Sequence, residues 1–217
     1  TATFTPSGDG AKTIDVAGGA FTDSSSNNNS AATQFNWTYD SSSPTMAITS
    51  AEVSDGATSN DSTLAMTFTS SAATSNFADG DISVSGGALS SFNATSSTVY
   101  TATFTPSGDG AKTIDVAAGA FTDSVSNNNT AATQFNWTYD SSSPTLSSST
   151  PVDGVTGVAV EANIVLTFSE AVDVESGNIV IKKSSDNSIV ETIDVTGSKV
   201  TGTGTTTITI NPTSVLT

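Results

Sequence analysis

The sequence predicts an all-β chain of tandem two-sheet sandwich domains, and three observations carry that prediction. Residues Thr1–Thr45 recur as Thr101–Thr145 with 42 of 45 positions identical, the exceptions being Gly18/Ala118, Ser25/Val125 and Ser30/Thr130. The resulting unit of 100 residues is the size of one small β domain. Thr, Ser, Val, Gly and Asn dominate while Leu, Lys, Arg and Glu are scarce, a strand-and-turn composition. Short alternating runs recur at regular spacing with turn residues between them.

Within one whole unit the strands can be placed in order. Thr45–Ser50 opens it. Leu64, Met66 and Phe68 share one parity and should face inward, with Ala65 and Thr67 outward. After the turn Ala78–Asp81, Ile82 and Val84 repeat the pattern, and Leu89 and Phe92 occupy a looser strand. Tyr100, Ala102 and Phe104 alternate with threonines until Pro106, which withholds a ladder donor. The turn Ser107–Gly110 leads into Lys112–Val116, where Ile114 and Val116 point in and Asp115 out. Phe135, Trp137 and Tyr139 alternate with polar residues in the last and best-patterned strand. Seven short antiparallel strands in such a length is the immunoglobulin-like number, so the expected fold is a set of tandem immunoglobulin-like β-sandwich domains in an extended array.

Polar, proline-ended connectors at Asp40–Pro44 and Asp140–Pro144 mark the expected boundaries. They divide the chain into the C-terminal part of a repeat (1–44), a complete repeat (45–144) and a partial domain of a second type (145–217). The first part is expected to supply the last three strands of its sandwich. The last is expected to form strands at Ile164–Phe168, Asn178–Lys183, Ser188–Val195 and Thr205–Ile210, with one or two missing. Connectors this short should limit hinge motion and favour a taut rod.

Composition narrows function. There is no cysteine, so disulfides, thiol catalysis and thiolate metal sites are excluded, although export is not. Histidine is absent, which removes the commonest general base and transition-metal ligand. A net charge of −16 with five lysines and no arginine argues against nucleic acid and anionic membrane surfaces as partners. No apolar run is long enough for a membrane span, so direct insertion is not expected.

The segments FTPSGDG, AGAFTDSVSNNN and WTYDSSSPT resemble the bacterial Ig-like repeats of large surface adhesins and related cell-surface proteins. PVDGVTGVAVEANIVLTFSEAV resembles the Ig-like domain of S-layer and adhesin proteins. The resemblance implies an extracellular stalk or filament, often calcium-dependent. Many relatives carry Asp-x-x-Gly-Asn where this chain has Asp123-Ser124-Val125-Ser126-Asn127, which questions the turn geometry and any ion there. Such domains also sometimes cross-link a lysine to an asparagine, which singles out Lys12, Lys112 and Asn136; a lysine beside a turn is more usually exposed to solvent.

Calcium is the one cofactor the residue types favour, because it takes six to eight hard oxygens. Asp40 and Asp140 at the boundaries are the first candidates, with Asp153, Glu52, Asp55 and Asp61 able to contribute. Asp23 and Asp123, each followed by three asparagines, form a second candidate set. The bland alternative is that these are turn aspartates closing Asx-turns. Asp79 with Asp81 pairs two carboxylates in a turn of a repeated unit, which does not suggest an active site. The runs Thr101–Thr103 and Thr203–Thr207 read as exposed β-formers rather than an ice- or glycan-binding array. Sequons at Asn28, Asn36, Asn60, Asn93, Asn128 and Asn136 are expected by chance in so Asn- and Thr-rich a chain.

Two function classes follow. The first is a non-catalytic structural segment of an extracellular surface protein, its partners being neighbouring Ig-like domains of the same or adjacent chains, with assembly into filaments. The second is an adhesive module recognising a glycan or protein through loops at a sandwich end. Near-identical neighbouring copies favour the spacer, since a reader needs only one tip.

Overall fold

The computed structural model describes residues 1–213, so residues 214–217 of the expected last domain lie outside it. The chain divides into two compact units, Thr1–Ser141 and Ser142–Thr217. The first contains β1 (Gly10–Ile14) and β2 (Phe35–Tyr39), then β3 (Met46–Ser50), β4 (Thr58–Ser59), β5 (Leu64–Ser70), β6 (Ile82–Ser85), β7 (Gly87–Ala94), β8 (Val99–Pro106), β9 (Gly110–Val116) and β10 (Phe135–Tyr139).

Strands β3 to β10 close a two-sheet sandwich. One sheet has the order β3-β5-β8-β7 and the other β4-β10-β9-β6. Lettered in chain order, with β4 as an extra edge strand, these are the ABED and CFG sheets of the immunoglobulin constant-type fold. Alternation decides which side chains enter the space between them. Leu64, Met66 and Phe68 of β5, Ala102 and Phe104 of β8, Ile114 and Val116 of β9, and Phe135 and Trp137 of β10 are all buried. A buried Phe or Leu contributes about 1.5–3 kcal/mol, and this repeated burial replaces the missing disulfide.

Three features depart from the expected pattern. Thr58–Ser59 forms the edge strand β4, parallel to β10, although a two-residue run gives no periodic signal. Phe77 and Phe121, both in loops, join the core. Phe77 lies 5.3 Å from Phe121 and 5.0 Å from Tyr100, both edge-on, and ties the two sheets together. Lys112 is buried rather than exposed, because it shares the inward parity of Ile114 and Val116. Its stem runs beneath Gly86, where a β-carbon would sit 2.6 Å from the lysine Cδ. The ammonium reaches the Ser107 and Asp109 carbonyls at 3.5 Å.

The duplicated segment at the start of the chain forms the hairpin β1–β2, in the same register as β9–β10. Two of its three expected strands appear. Thr1–Pro6, the counterpart of most of β8, is not a strand, whereas β8 is laddered on both sides, by β5 and β7. The same residues therefore meet opposite environments. Phe4, Phe21 and Phe35 are 50%, 62% and 61% exposed, whereas Phe104, Phe121 and Phe135 are 0%, 1% and 4% exposed.

The second unit holds β11 (Leu146–Thr150), β12 (Ile164–Val172), β13 (Asn178–Lys182), β14 (Ile189–Asp194), β15 (Val200–Thr201) and β16 (Thr205–Ile210). They form a sheet β11-β12-β16-β15 and a separate hairpin β13-β14. Ile193, Val200, Ile208 and Ile210 make its buried core, with Ile164, Leu166 and Phe168 packed at the margin. Strand β11 escaped the sequence reading because Leu-Ser-Ser-Ser-Thr carries no apolar alternation. Its position, offset by 100 from Met46–Ser50, was the available signal.

Identical substitutions in the two copies should therefore differ in cost. Phe104→Ala removes a fully buried ring and should lower stability by about 3–5 kcal/mol. Phe4→Ala should cost well under half of that, and paired urea titrations of the two variants measure the difference.

Candidate functional site: the repeat junction

The loop after β9 carries the Asp123 cluster, and its polar groups are committed to one another. Asp123 is buried; its Oδ1 accepts the backbone N–H of Val125 and of Asn127, each at 2.9 Å, and its Oδ2 accepts Asn127 Nδ2 at 2.9 Å. Asn129, also buried, accepts the Phe121 N–H and donates to the carbonyls of Ala117 and Thr130. Asp23 and Asn29 make the corresponding bonds in the first copy. Side chain and backbone of Asn27, then Ser25, hold the Asp23 carboxyl below its ordinary value. For Asp123, burial pushes upward, but the bonds from Asn127 and Val125 outweigh it and the net shift is down.

Serine stands in this turn where the resemblance implied glycine, and its backbone takes the glycine-type conformation. Ser26 and Ser126 take φ of 63° and 73°, in the left-handed region. The turn closes through Ser126 N–H to the Asp123 carbonyl at 3.2 Å and Asp123 N–H to the Asn127 carbonyl at 3.1 Å. The expected doubt about turn geometry is thereby removed: the bonds of Asp123 hold a serine in a conformation it disfavours by about 1–2 kcal/mol.

The connector Asp40–Pro44 is gripped from both sides. On the side of the preceding hairpin, Asp9 accepts the Ser41 N–H at 2.8 Å, the Ser41 hydroxyl at 2.7 Å and the Ser42 hydroxyl at 2.6 Å. On the side of the following sandwich, Asn127 Nδ2 donates to the Asp40 carbonyl at 3.2 Å and the Thr130 N–H to the Pro44 carbonyl at 3.0 Å. Pro44 is fully buried. Asp40 Oδ1 closes a local turn by accepting the Ser42 N–H at 2.9 Å. Bonds from Ser42 and Ser41 hold the Asp9 carboxyl below its ordinary value. Sequence reasoning singled out Asp40 and missed Asp9, whose signal was the repetition of Ser-Gly-Asp-Gly at a fixed distance from the serine run. The second copy retains the grip on its own connector, with Asp109 accepting the N–H and hydroxyl of Ser141 at 2.8 and 2.7 Å.

The remaining candidates are dispersed. Asp140 donates its backbone N–H to the Ser59 carbonyl at 3.1 Å, and Asp153 lies on an exposed turn of the second unit. Glu52 accepts the Ala65 N–H at 2.9 Å, Asp55 accepts the Asn136 N–H at 2.8 Å, and Asp61 accepts from the Ser59 hydroxyl. Among the described residues no group of three or more carboxylates gathers. The Asp23 and Asp123 carboxylates each accept three N–H bonds from within their own loops. Lys112 and Asn136 lie on opposite faces of their sheet: Lys112 is opposite Trp137 in register and buried, and Asn136 is exposed, which rules out a cross-link between them.

Comparison with known families gives a direct result. Residues 40–139 match one model described as a bacterial Ig-like domain, and residues 140–217 match a second model of the same description. The chain carries two bacterial Ig-like domains in tandem. No curated protein and no solved structure matches it. Bacterial Ig-like domains are structural or surface-associated modules, generally non-catalytic, and common in extracellular or surface proteins. No helix among the described residues is long and apolar enough to cross a membrane.

In the second Ig-like domain, a cleft of about 530 Å³ opens where Leu166, Phe168 and Ile208 of one sheet face Ile179 of the β13–β14 hairpin, with Asp173 and Glu175 at its edge. It is the unclosed margin of that domain's core.

Two outcomes test the loop and the grip. Ser126→Gly relieves the left-handed strain and should raise stability by roughly 0.5–1 kcal/mol, read by chemical denaturation. The carboxyls of Asp9, Asp23 and Asp123 have folded pKa values below the ordinary 3.8, so their contribution is fully present above that value. It is lost as pH falls below 3.8 through the lowered folded values, and carboxyl chemical shifts followed by NMR should show all three titrating below 3.8.

Proposed function

We propose that this chain is a spacer segment of a bacterial extracellular surface protein, a stalk or filament section that holds other parts of the protein at a set distance. The observation supporting this most is the two-sided grip on Asp40–Pro44. A flexible tether needs no such bonds, whereas a spacer of fixed reach gains from each one that removes hinge freedom. The grip is also encoded in the repeat: Asp9 recurs as Asp109, Asn127 has its copy in Asn27, and the serine run follows both β2 and β10. Outward-facing Thr, Ser and Asn with a charge of −16 suit a surface that stays hydrated beside many copies of itself. Neighbouring Ig-like domains of the same or adjacent chains are the natural partners.

Spin labels on Thr13 and Thr67, both outside the grip, report motion across this connector. The parent chain should give a narrow distance distribution. The double variant Asp9→Ala, Asn127→Ala should broaden it at least twofold while the circular dichroism spectrum stays β-type. An equally broad distribution in the parent chain would count against the spacer reading. Repeating the measurement with calcium and with chelator tests the expectation of an ion at this junction.

A further inference from the structure

Five aspartates of the chain stand directly before a glycine: Asp9, Asp55, Asp79, Asp109 and Asp153. Such a pair is open to attack of the glycine nitrogen on the aspartate carboxyl, because glycine sets no side chain beside that nitrogen and leaves the backbone free to turn. The attack needs a carboxyl and an N–H that are not held elsewhere, and a planar peptide able to swing about the aspartate Cα–C bond. The fold denies this to four of the five. Asp9 is held by Ser41 and Ser42, and Asp109 by Ser141. At Asp55 both reacting groups are engaged: Oδ1 accepts the Asn136 N–H at 2.8 Å, and the Gly56 N–H donates to the Asn136 carbonyl at 2.7 Å. Asp79 lies in a short helical turn tied three times, by Gly80 N–H to Asp79 Oδ1 at 3.0 Å, Ala78 N–H to Asp81 Oδ2 at 2.9 Å and Asp81 N–H to the Ala78 carbonyl at 3.1 Å.

Asp153 is placed differently. Residues 152–160 are all exposed, and Asp153 and Gly154 are the central pair of a turn closed by one bond, Val155 N–H to the Val152 carbonyl at 3.2 Å. Gly154 has a φ of 75° and open space around it. Among the described residues nothing donates to the Asp153 carboxylate and nothing accepts the Gly154 N–H. We propose that Asp153-Gly154 is a site of spontaneous isomerisation from aspartate to isoaspartate, selected from the five by the fold. In the first step the Gly154 nitrogen bonds to Asp153 Cγ. The amide proton and the carboxyl hydroxyl leave as water, and a succinimide ring closes. In the second step water adds to the ring. Addition at Cγ breaks the new C–N bond and restores aspartate. Addition at the main-chain carbonyl carbon breaks the original peptide bond, so the chain now runs through Cβ and Cγ and the old carbonyl becomes the free carboxylate. The water lost is regained, and no oxidant, enzyme or cofactor takes part. The product lengthens the main chain by one methylene inside the Val152–Val155 turn, in the loop that leads from β11 into β12.

The test is prolonged incubation of the whole chain at neutral pH in water enriched in heavy oxygen, once folded and once in denaturing urea. Proteolysis and electron-transfer fragmentation in a mass spectrometer then tell isoaspartate from aspartate at each site. Two or more extra bonds around a turn lower its open population roughly tenfold or more, so in the folded chain isoaspartate should form at Asp153 faster than at any other site by about that factor. It should carry a solvent oxygen, as ring opening by water requires. In urea the five sites should react at comparable rates. Removing two donors from Asp9 with Ser41→Ala and Ser42→Ala should raise isoaspartate at Asp9 severalfold in the folded chain. Isoaspartate concentrated at another of the five sites in the folded chain, or absent from Asp153 there while forming at it in urea, would overturn the proposal. So would an equal preference for Asp153 in urea, or no rise at Asp9 in the serine variant, since the fold would then not be what selects the site.

Discussion

Everything in the first unit depends on contact between two halves of a sandwich that are remote in sequence. The side chains of Phe104, Ile114, Phe135 and Trp137 are buried because Leu64, Phe68, Phe77 and Ile82 lie across from them. In the duplicated hairpin the strands pair and the aromatic rings meet as they do in the sandwich, while Phe4, Phe21 and Phe35 are exposed. Local pattern makes the hairpin, and only the long-range pairing makes a core.

The junction rests on a different economy. Apolar area is little used there beyond Pro44, and hydrogen bonds accepted by Asp9 and donated by Asn127 and Thr130 hold the connector. Such bonds contribute only about 0.5–1.5 kcal/mol each, so their effect lies in restricting geometry more than in stabilising the fold. All three differences between the copies, Gly18/Ala118, Ser25/Val125 and Ser30/Thr130, fall in the loop that provides this grip. The Ser30/Thr130 change leaves the bond to Pro44 untouched, because a backbone N–H donates it.

Much of the fold was legible in the sequence because a strand advertises its buried face by alternation. The parity of Leu64, Met66 and Phe68 and of Phe135 and Trp137 matched the core, and all seven strands expected in the complete sandwich are present. What alternation cannot carry was missed. Phe77 and Phe121 enter the core from loops, where no period exists. Lys112 obeys the parity of its strand, but a lysine was read by its charge rather than by its stem, and the space made for it by Gly86 is a tertiary fact. At the site, the aspartates were found as residues, but not whom they bind. Asp23 and Asp123 bind amides within their own loop, and Asp9, the carboxylate that fastens the connector, looked like an ordinary turn residue.

The short strand β4 gives the sandwich a mechanical character. It runs parallel to β10, and the segment containing it is joined to β10 through Gly56 N–H to Asn136, Thr138 N–H to Ala57, and Asp140 N–H to Ser59. Tension entering ahead of Met46 and leaving after Tyr139 draws these two neighbours in opposite directions along a common line. The three bonds lie across that line and are loaded in shear together, instead of being peeled open one by one from an end.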